Sequence, residues 1–175
     1  VVYEEIVNGG ITRLAAVFNS RNVDRIGPVR SVRPTDTQIA YPIGGLFVYS
    51  GGAAYAIRSI STAPVRLIDE TLAGNAMFRD SHRWAPHNLF AYGTRLYAFR
   101  ARPVPPKPLF TYRADGDTVH GAPVVGAAVY FPSIYTVTWG WNARTQSFDR
   151  HLFGKLDVTG TGHTESPRNV IIQFT

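Results

Sequence analysis

Residues 102–108 read Arg-Pro-Val-Pro-Pro-Lys-Pro, and no other feature constrains the fold of this chain as much. Each of the four prolines lacks a backbone N–H and fixes φ near about −65°, so neither a helix nor a central strand can run through the stretch. It reads as a connector at 103–108 between one folding part at 1–102 and a second at 109–175. The 175 residues are 45% hydrophobic and 17% charged, the composition of packed globular protein and not of a disordered tail or a coiled coil. Cysteine is absent, which excludes a disulfide scaffold, a thiol nucleophile, a zinc ribbon and an iron–sulfur centre. No run of 18 apolar residues occurs, so the sequence contains no stretch long enough for an apolar membrane-spanning helix.

The first part mixes strand and helix signals. Residues 1–7 and 11–18 are β-rich runs joined by Asn8-Gly9-Gly10, which suits a hairpin turn, and a third strand is expected over 25–32. Thr35 is placed to cap a short helix ending at Tyr41, before Pro42 and Gly44-Gly45. The continuous apolar run 46–49 has the character of a strand packed on both faces, and 53–60 has the apolar spacing of a helix. Further strands are expected at 65–68 and 76–78, and a helix at 94–99. The second part carries strand signals at 124–131, 135–141, 147–153 and 169–174, the middle pair forming a hairpin through 142–146. The fold class is therefore α+β: a mixed-sheet layered unit followed by a smaller antiparallel β portion.

Charge separates the two parts. The net charge of +6 rests on sixteen arginines and two lysines against twelve carboxylates. Residues 1–103 hold twelve basic and seven acidic side chains, and 104–175 hold six and five, so the positive field belongs to the first part. A basic chain with interleaved aromatics raises the question of nucleic acid. With lysine nearly absent and no basic helix or recognised motif, no nucleic-acid partner is expected.

Three constellations carry candidate chemistry. In Gly27-Pro28-Val29-Arg30-Ser31-Val32-Arg33-Pro34 the two guanidiniums flank one strand end, where their planar forks suit a phosphate or carboxylate. The alternative is a solvated edge strand. Ser50-Gly51-Gly52, between an apolar strand and a helix, lets backbone N–H groups approach an anion, although such glycine pairs are also plain tight turns. Between Phe78 and Asn88 lie Arg79, Asp80, Ser81, His82, Arg83 and His87, more polar groups than a surface loop requires. Were the protein an enzyme, His87 would carry the proton and Asp80 would orient it. His82 and His87 lack the further ligands of a metal site, so neither metal nor cofactor is expected. Glu4 and Glu5 face opposite sides of their strand, and a cross-strand pair of one of them with Arg13 is the default reading. Asp36, Asp69, Glu70 and Asp80 are acids for paired-carboxylate work only by elimination. Ser50 lacks the leading glycine of a nucleophile elbow.

The segments Val2-Tyr3-Glu4-Glu5, Gly9-Gly10-Ile11-Thr12-Arg13, Gly27 to Pro34, Ser50-Gly51-Gly52 and Arg79-Asp80 through Ala85-Pro86-His87-Asn88 resemble the YerB-like bacterial lipoproteins, a family of unknown function. The resemblance implies an extracytoplasmic domain, lipid-anchored to the cell membrane through a cysteine upstream of it, with a separate C-terminal β portion. More faintly, the order of Thr12 to Phe18 and Arg30 to Asp36 is similar to the entry of LytR-CpsA-Psr cell-wall ligases, whose arginines grip a polyprenyl pyrophosphate. Arg13 stands where those ligases usually carry an aspartate, which weighs against metal-assisted phosphotransfer. The expected ligand is an anionic, phosphate-bearing wall or lipid-linked glycan, held by Arg13, Arg30, Ser31, Arg33, Ser50, Gly51, Gly52, Arg79, Arg83 and Asn88. The alternative is a non-catalytic module whose aromatic β half, around Trp139 and Trp141, docks an envelope protein.

Overall fold

A computed structural model of the chain describes residues 1–100, 107–131 and 135–174. The expected connector at 103–108 lies mostly outside the described residues. The elements group into two compact units, Val1–Tyr3 with Leu14–Tyr112 and Glu4–Arg13 with Arg113–Thr175. The mixture of short helices, small sheets and one antiparallel sheet is an α+β fold.

The chain opens with a hairpin of β1 (Val2–Ile6) and β2 (Thr12–Ala16), turned by Gly9 and Gly10, whose φ values of 86° and 72° suit glycine. In the first unit, α1 (Asp36–Ile43) leads into β3 (Gly45–Val48), which pairs in parallel with β4 (Val65–Ile68) across α2 (Ala54–Ile60). Alternation then divides the core. Val29 and Ile68 lie in one buried cluster with Met77, Leu89 and Leu96, with Leu46 and Val48 packed against it. Val32 and Tyr49 lie in a second with Ala40, Ala56 and Ile60, against which Phe47, Val65 and Leu67 pack. The apolar run 46–49 thus packs on both faces, as its composition suggests.

Four expectations change in detail. Thr35 is already helical (φ −62°, ψ −29°) and makes no side-chain cap; the Asp36 carboxylate instead accepts from the Arg33 backbone N–H at 2.6 Å. Pro42 sits inside the last turn of α1, which continues to Ile43. Residues 25–32 form no regular strand, because Pro28 can donate to no ladder. They run extended all the same: Ile26 and Ala91 exchange backbone bonds, Val29 donates to Leu89, and Ser50 donates to Arg30. The fourth change is β5, at Met77–Arg79, paired with the unforeseen β6 (Leu89–Ala91). Also unforeseen is α3 (Glu70–Ala73), capped by Asp69 accepting from Leu72 N at 2.8 Å. A single turn, α4 (Gly93–Leu96), continues as 3-10 helix over Tyr97–Phe99, starting one residue before the span expected to be helical.

The second unit is an antiparallel sheet in the order β10-β9-β8-β7, formed by β7 (Gly126–Tyr130), β8 (Thr136–Asn142), β9 (Ser147–Leu152) and the two-residue β10 (Lys155–Leu156). The expected strand at 169–174 is absent. Glu165 and Pro167 accept from Arg150 and Phe148 of β9, taking that edge first, and Ile171 and Phe174 are left exposed. The hairpin tip contributes to this unit an ion cluster: Arg150, 8% exposed, reaches Glu4 at 2.7 Å and also Asp157.

Candidate functional site

The site grows from the extended segment 26–33. On one side it bonds to β6; on the other, Ser50 N donates to Arg30 O at 3.0 Å and Val32 N to Gly51 O at 2.9 Å. Two glycines permit this. A Cβ on Gly52 would stand 2.7 Å from Val32 Cγ1, and one on Gly27 would stand 2.5 Å from Phe90 Cδ1. The segment therefore lies flush against both neighbours and carries Arg30 between them. The Arg30 guanidinium crosses to the loop joining β5 and β6 and donates to Pro86 O at 2.7 Å. Sequence positions 30, 50–51 and 86 meet through these bonds.

The 80–88 loop is tightly built. Asp80 N donates to Asn88 O (2.7 Å), Arg83 N to Asp80 O (3.2 Å) and His87 N to Trp84 O (2.9 Å). Asp80 is its anchor, with a side chain 13% exposed. It accepts from the His82 backbone N–H at 3.0 Å and from Arg25, and lies 3.8 Å from Arg83. The His82 N–H first, then the Arg25 hydrogen bond, hold its carboxyl below the usual carboxylate range. Arg25 and Arg83 also stand over the Phe90 ring, at 4.0 and 5.3 Å from its centroid. An open depression of about 450 Å³ lies beside the loop, lined by Ser81, His82, Arg83, Trp84, Ala85 and Asn88.

Several anticipated residues have other occupations. Arg33 turns Nη1 back on its own segment, donating to Ser31 Oγ at 2.8 Å and Val32 O at 3.0 Å, while its buried Nε has no hydrogen-bond partner among the described residues. Arg79 is held in a two-pronged pair by Glu70 (2.9 and 2.5 Å) and donates to Asn88 Oδ1 at 2.9 Å. Asp80 contacts the His82 ring (Nδ1 at 3.3 Å), and no bond joins it to His87, whose residue is exposed. The expected His87–Asp80 proton relay therefore does not form. Asp36 accepts from the Arg33 backbone N–H, Asp69 caps α3, and Glu70 is an ion-pair partner. Arg13, on β2, groups with the second unit. Trp139 is half-buried and Trp141 packs edge-on against Phe148 at 5.0 Å between centroids. Among the described residues, no group of three or more His, Asp or Glu side chains could hold a metal ion.

Sequence reading missed Arg25 and Phe90. Both sit outside the polar runs that drew attention: the β5–β6 pairing brings Phe90 near Asp80, and the isolated bridge of 26 with 91 brings Arg25 there. The aromatic spacing of Phe78 and Phe90, stacked at 6.0 Å across β5 and β6, was the available signal.

The motifs that meet at Arg30 all lie within residues 1–103, and those residues match the N-terminal domain of a protein family described as of unknown function, DUF3048. The chain belongs to this family. The fold agrees with a solved relative: the crystal structure of YerB protein from Bacillus subtilis superposes with a TM-score of 0.74 at 18% sequence identity, over 94% of this chain and 58% of that one. At that identity the likeness is one of fold. The chain spans less than two thirds of that relative's length, and no curated protein matches it.

Proposed function

We propose that this DUF3048 domain binds an anionic, phosphate-bearing wall or lipid-linked glycan of the bacterial envelope on the face built by 26–33, Ser50-Gly51-Gly52 and the 80–88 loop. The observation that carries the reading is the meeting of these three segments at Arg30. Around that point four arginines, Arg25, Arg30, Arg79 and Arg83, stand against two carboxylates, Glu70 and Asp80. The surplus is positive, and a guanidinium has five donors, of which Arg30 commits one direction to Pro86. Its remaining donors suit a phosphate oxygen. Ligand binding without turnover is the simplest activity for such a face, since the proton relay is not assembled. An extracytoplasmic, lipid-anchored location is part of the proposal and is supported by the resemblance to bacterial lipoproteins.

Calorimetric titration with inorganic pyrophosphate tests the reading. Saturable binding is expected, weakened about tenfold or more in Arg30→Ala, the scale of one charge-assisted hydrogen bond. Equal binding by the variant, or none by the parent chain, would count against it. Fractionation of the native cells checks the location, with recovery in the cytosol opposing it.

A further inference from the structure

The loop beside Arg30 carries a side chain that neither the fold nor the anion site uses. Trp84 is 90% exposed. An indole presents a large apolar face, and leaving it in water sacrifices burial that most proteins would take. Slack in the chain does not explain the exposure. Backbone bonds pin the loop at Asp80, Arg83, His87 and Asn88, and the His82 N–H is fixed on the Asp80 carboxylate. Trp84 is therefore held out at the rim of the depression by an ordered frame.

Apart from Ala85, the other groups around the depression are polar, and mostly donors. Asn88 has its Oδ1 occupied by Arg79, which leaves both amide protons of Nδ2 to point elsewhere. Arg83 is steadied by Phe90 and, at 3.8 Å, by Asp80, and its exposed guanidinium has donors to spare. His82, with Nδ1 toward Asp80, turns Nε2 to solvent, and Ser81 adds a hydroxyl. An aromatic plane beside a ring of donors matches one ligand class well: a sugar, whose C–H face lies on the indole while its hydroxyls and any acidic group meet the polar rim.

We infer that this depression is a saccharide subsite that takes an acidic sugar, its ring on Trp84 and its anionic group on Arg83. The inference rests on the anion-binding reading above and names the ligand's class. A nucleic acid is the less suitable occupant, because a strand needs a track of cations along its backbone and the depression itself offers a single arginine.

The test uses the full chain with three probes: an oligogalacturonide, an uncharged chito-oligosaccharide and inorganic pyrophosphate. The oligogalacturonide is expected to bind more tightly than the uncharged sugar. Trp84→Ala should weaken it about tenfold or more, and Trp84→Phe should restore most of the loss. Pyrophosphate binding should be unchanged in Trp84→Ala, whose folding is checked by circular dichroism. If pyrophosphate binds in an Arg30-dependent way and neither sugar binds, or if Trp84→Ala leaves sugar binding intact, the saccharide subsite is overturned while the anion reading stands. Trp84-dependent binding of a single-stranded oligonucleotide in place of the sugars would overturn it too. Failure of all three probes would overturn both.

Discussion

The two units each contain an arginine–carboxylate cluster, and the clusters are built in opposite senses. In the second unit a single arginine, Arg150, is shared by two carboxylates, with Arg150 and Glu4 side chains 10% and 12% exposed. In the first unit a single carboxylate, Asp80, is shared by two arginines whose side chains are about half exposed. The first arrangement consumes its donors in dry surroundings, where a guanidinium must be fully paired. The second leaves donors over, in contact with water. The same side chains thus make a fastening in one place and a receptive surface in the other, and the ratio of charges together with their exposure tells which.

The largest effect that follows is on the fastening. Arg150→Ala strands Glu4 and Asp157, and the second unit should lose about 3–5 kcal/mol, read by denaturant unfolding. A loss under about 1 kcal/mol would mean that the buried cluster is no different from a surface one. Next in size is Gly52→Ala. Its new Cβ must displace Val32, which is 1% exposed, so a destabilisation of about 1–3 kcal/mol should accompany weaker pyrophosphate binding. Arg25→Ala, by contrast, removes a half-exposed partner and should cost less than about 1 kcal/mol. If it matched Arg150→Ala, the contrast between the clusters would collapse.

The smallest effect is with pH. Because Asp80 titrates below its usual range when folded, its stabilising contribution is present above about pH 4 and is lost as pH falls through the lowered value. The His82 amide resonance, which reports the hydrogen bond to that carboxylate, should therefore titrate with a midpoint below about 3.9. A midpoint at or above that value would show that the loop does not hold Asp80 as described.

The second unit was the more legible in the sequence. Its hairpin through 142–146 and its alternating strands are local patterns, and they appear close to where they were expected. What failed there was 169–174, an apolar stretch whose place on β9 is occupied by Glu165 and Pro167. In the first unit β3, β4 and α2 were also legible, since each carries its own periodicity. Segment 26–32 was not: it resembles a strand in sequence, yet it works as an extended tie between β6 and the Ser50-Gly51 turn, which no local pattern encodes. The candidate site followed the same rule. Arg30, Ser50, Gly51 and the 80–88 loop were visible as unusual residues, and their meeting depended on that tie. Arg33 and Arg79 looked equally available, but Arg33 turns Nη1 back onto Ser31 and Arg79 is held by Glu70, partners that position in the sequence does not announce. Arg25 entered only through the long-range bridge of 26 with 91, and Phe90 through the unforeseen pairing of β5 with β6.

The central claim is that three distant segments form one anion-binding face around Arg30. Two-dimensional amide NMR of the whole chain during a pyrophosphate titration tests it most directly, with Arg144→Ala in the second unit as a charge control. The account predicts saturable shifts concentrated in residues 30–33, 50–52 and 80–88, abolished by Arg30→Ala and retained in Arg144→Ala. Shifts scattered over surface arginines of both units, or a response that persists without Arg30, would contradict it.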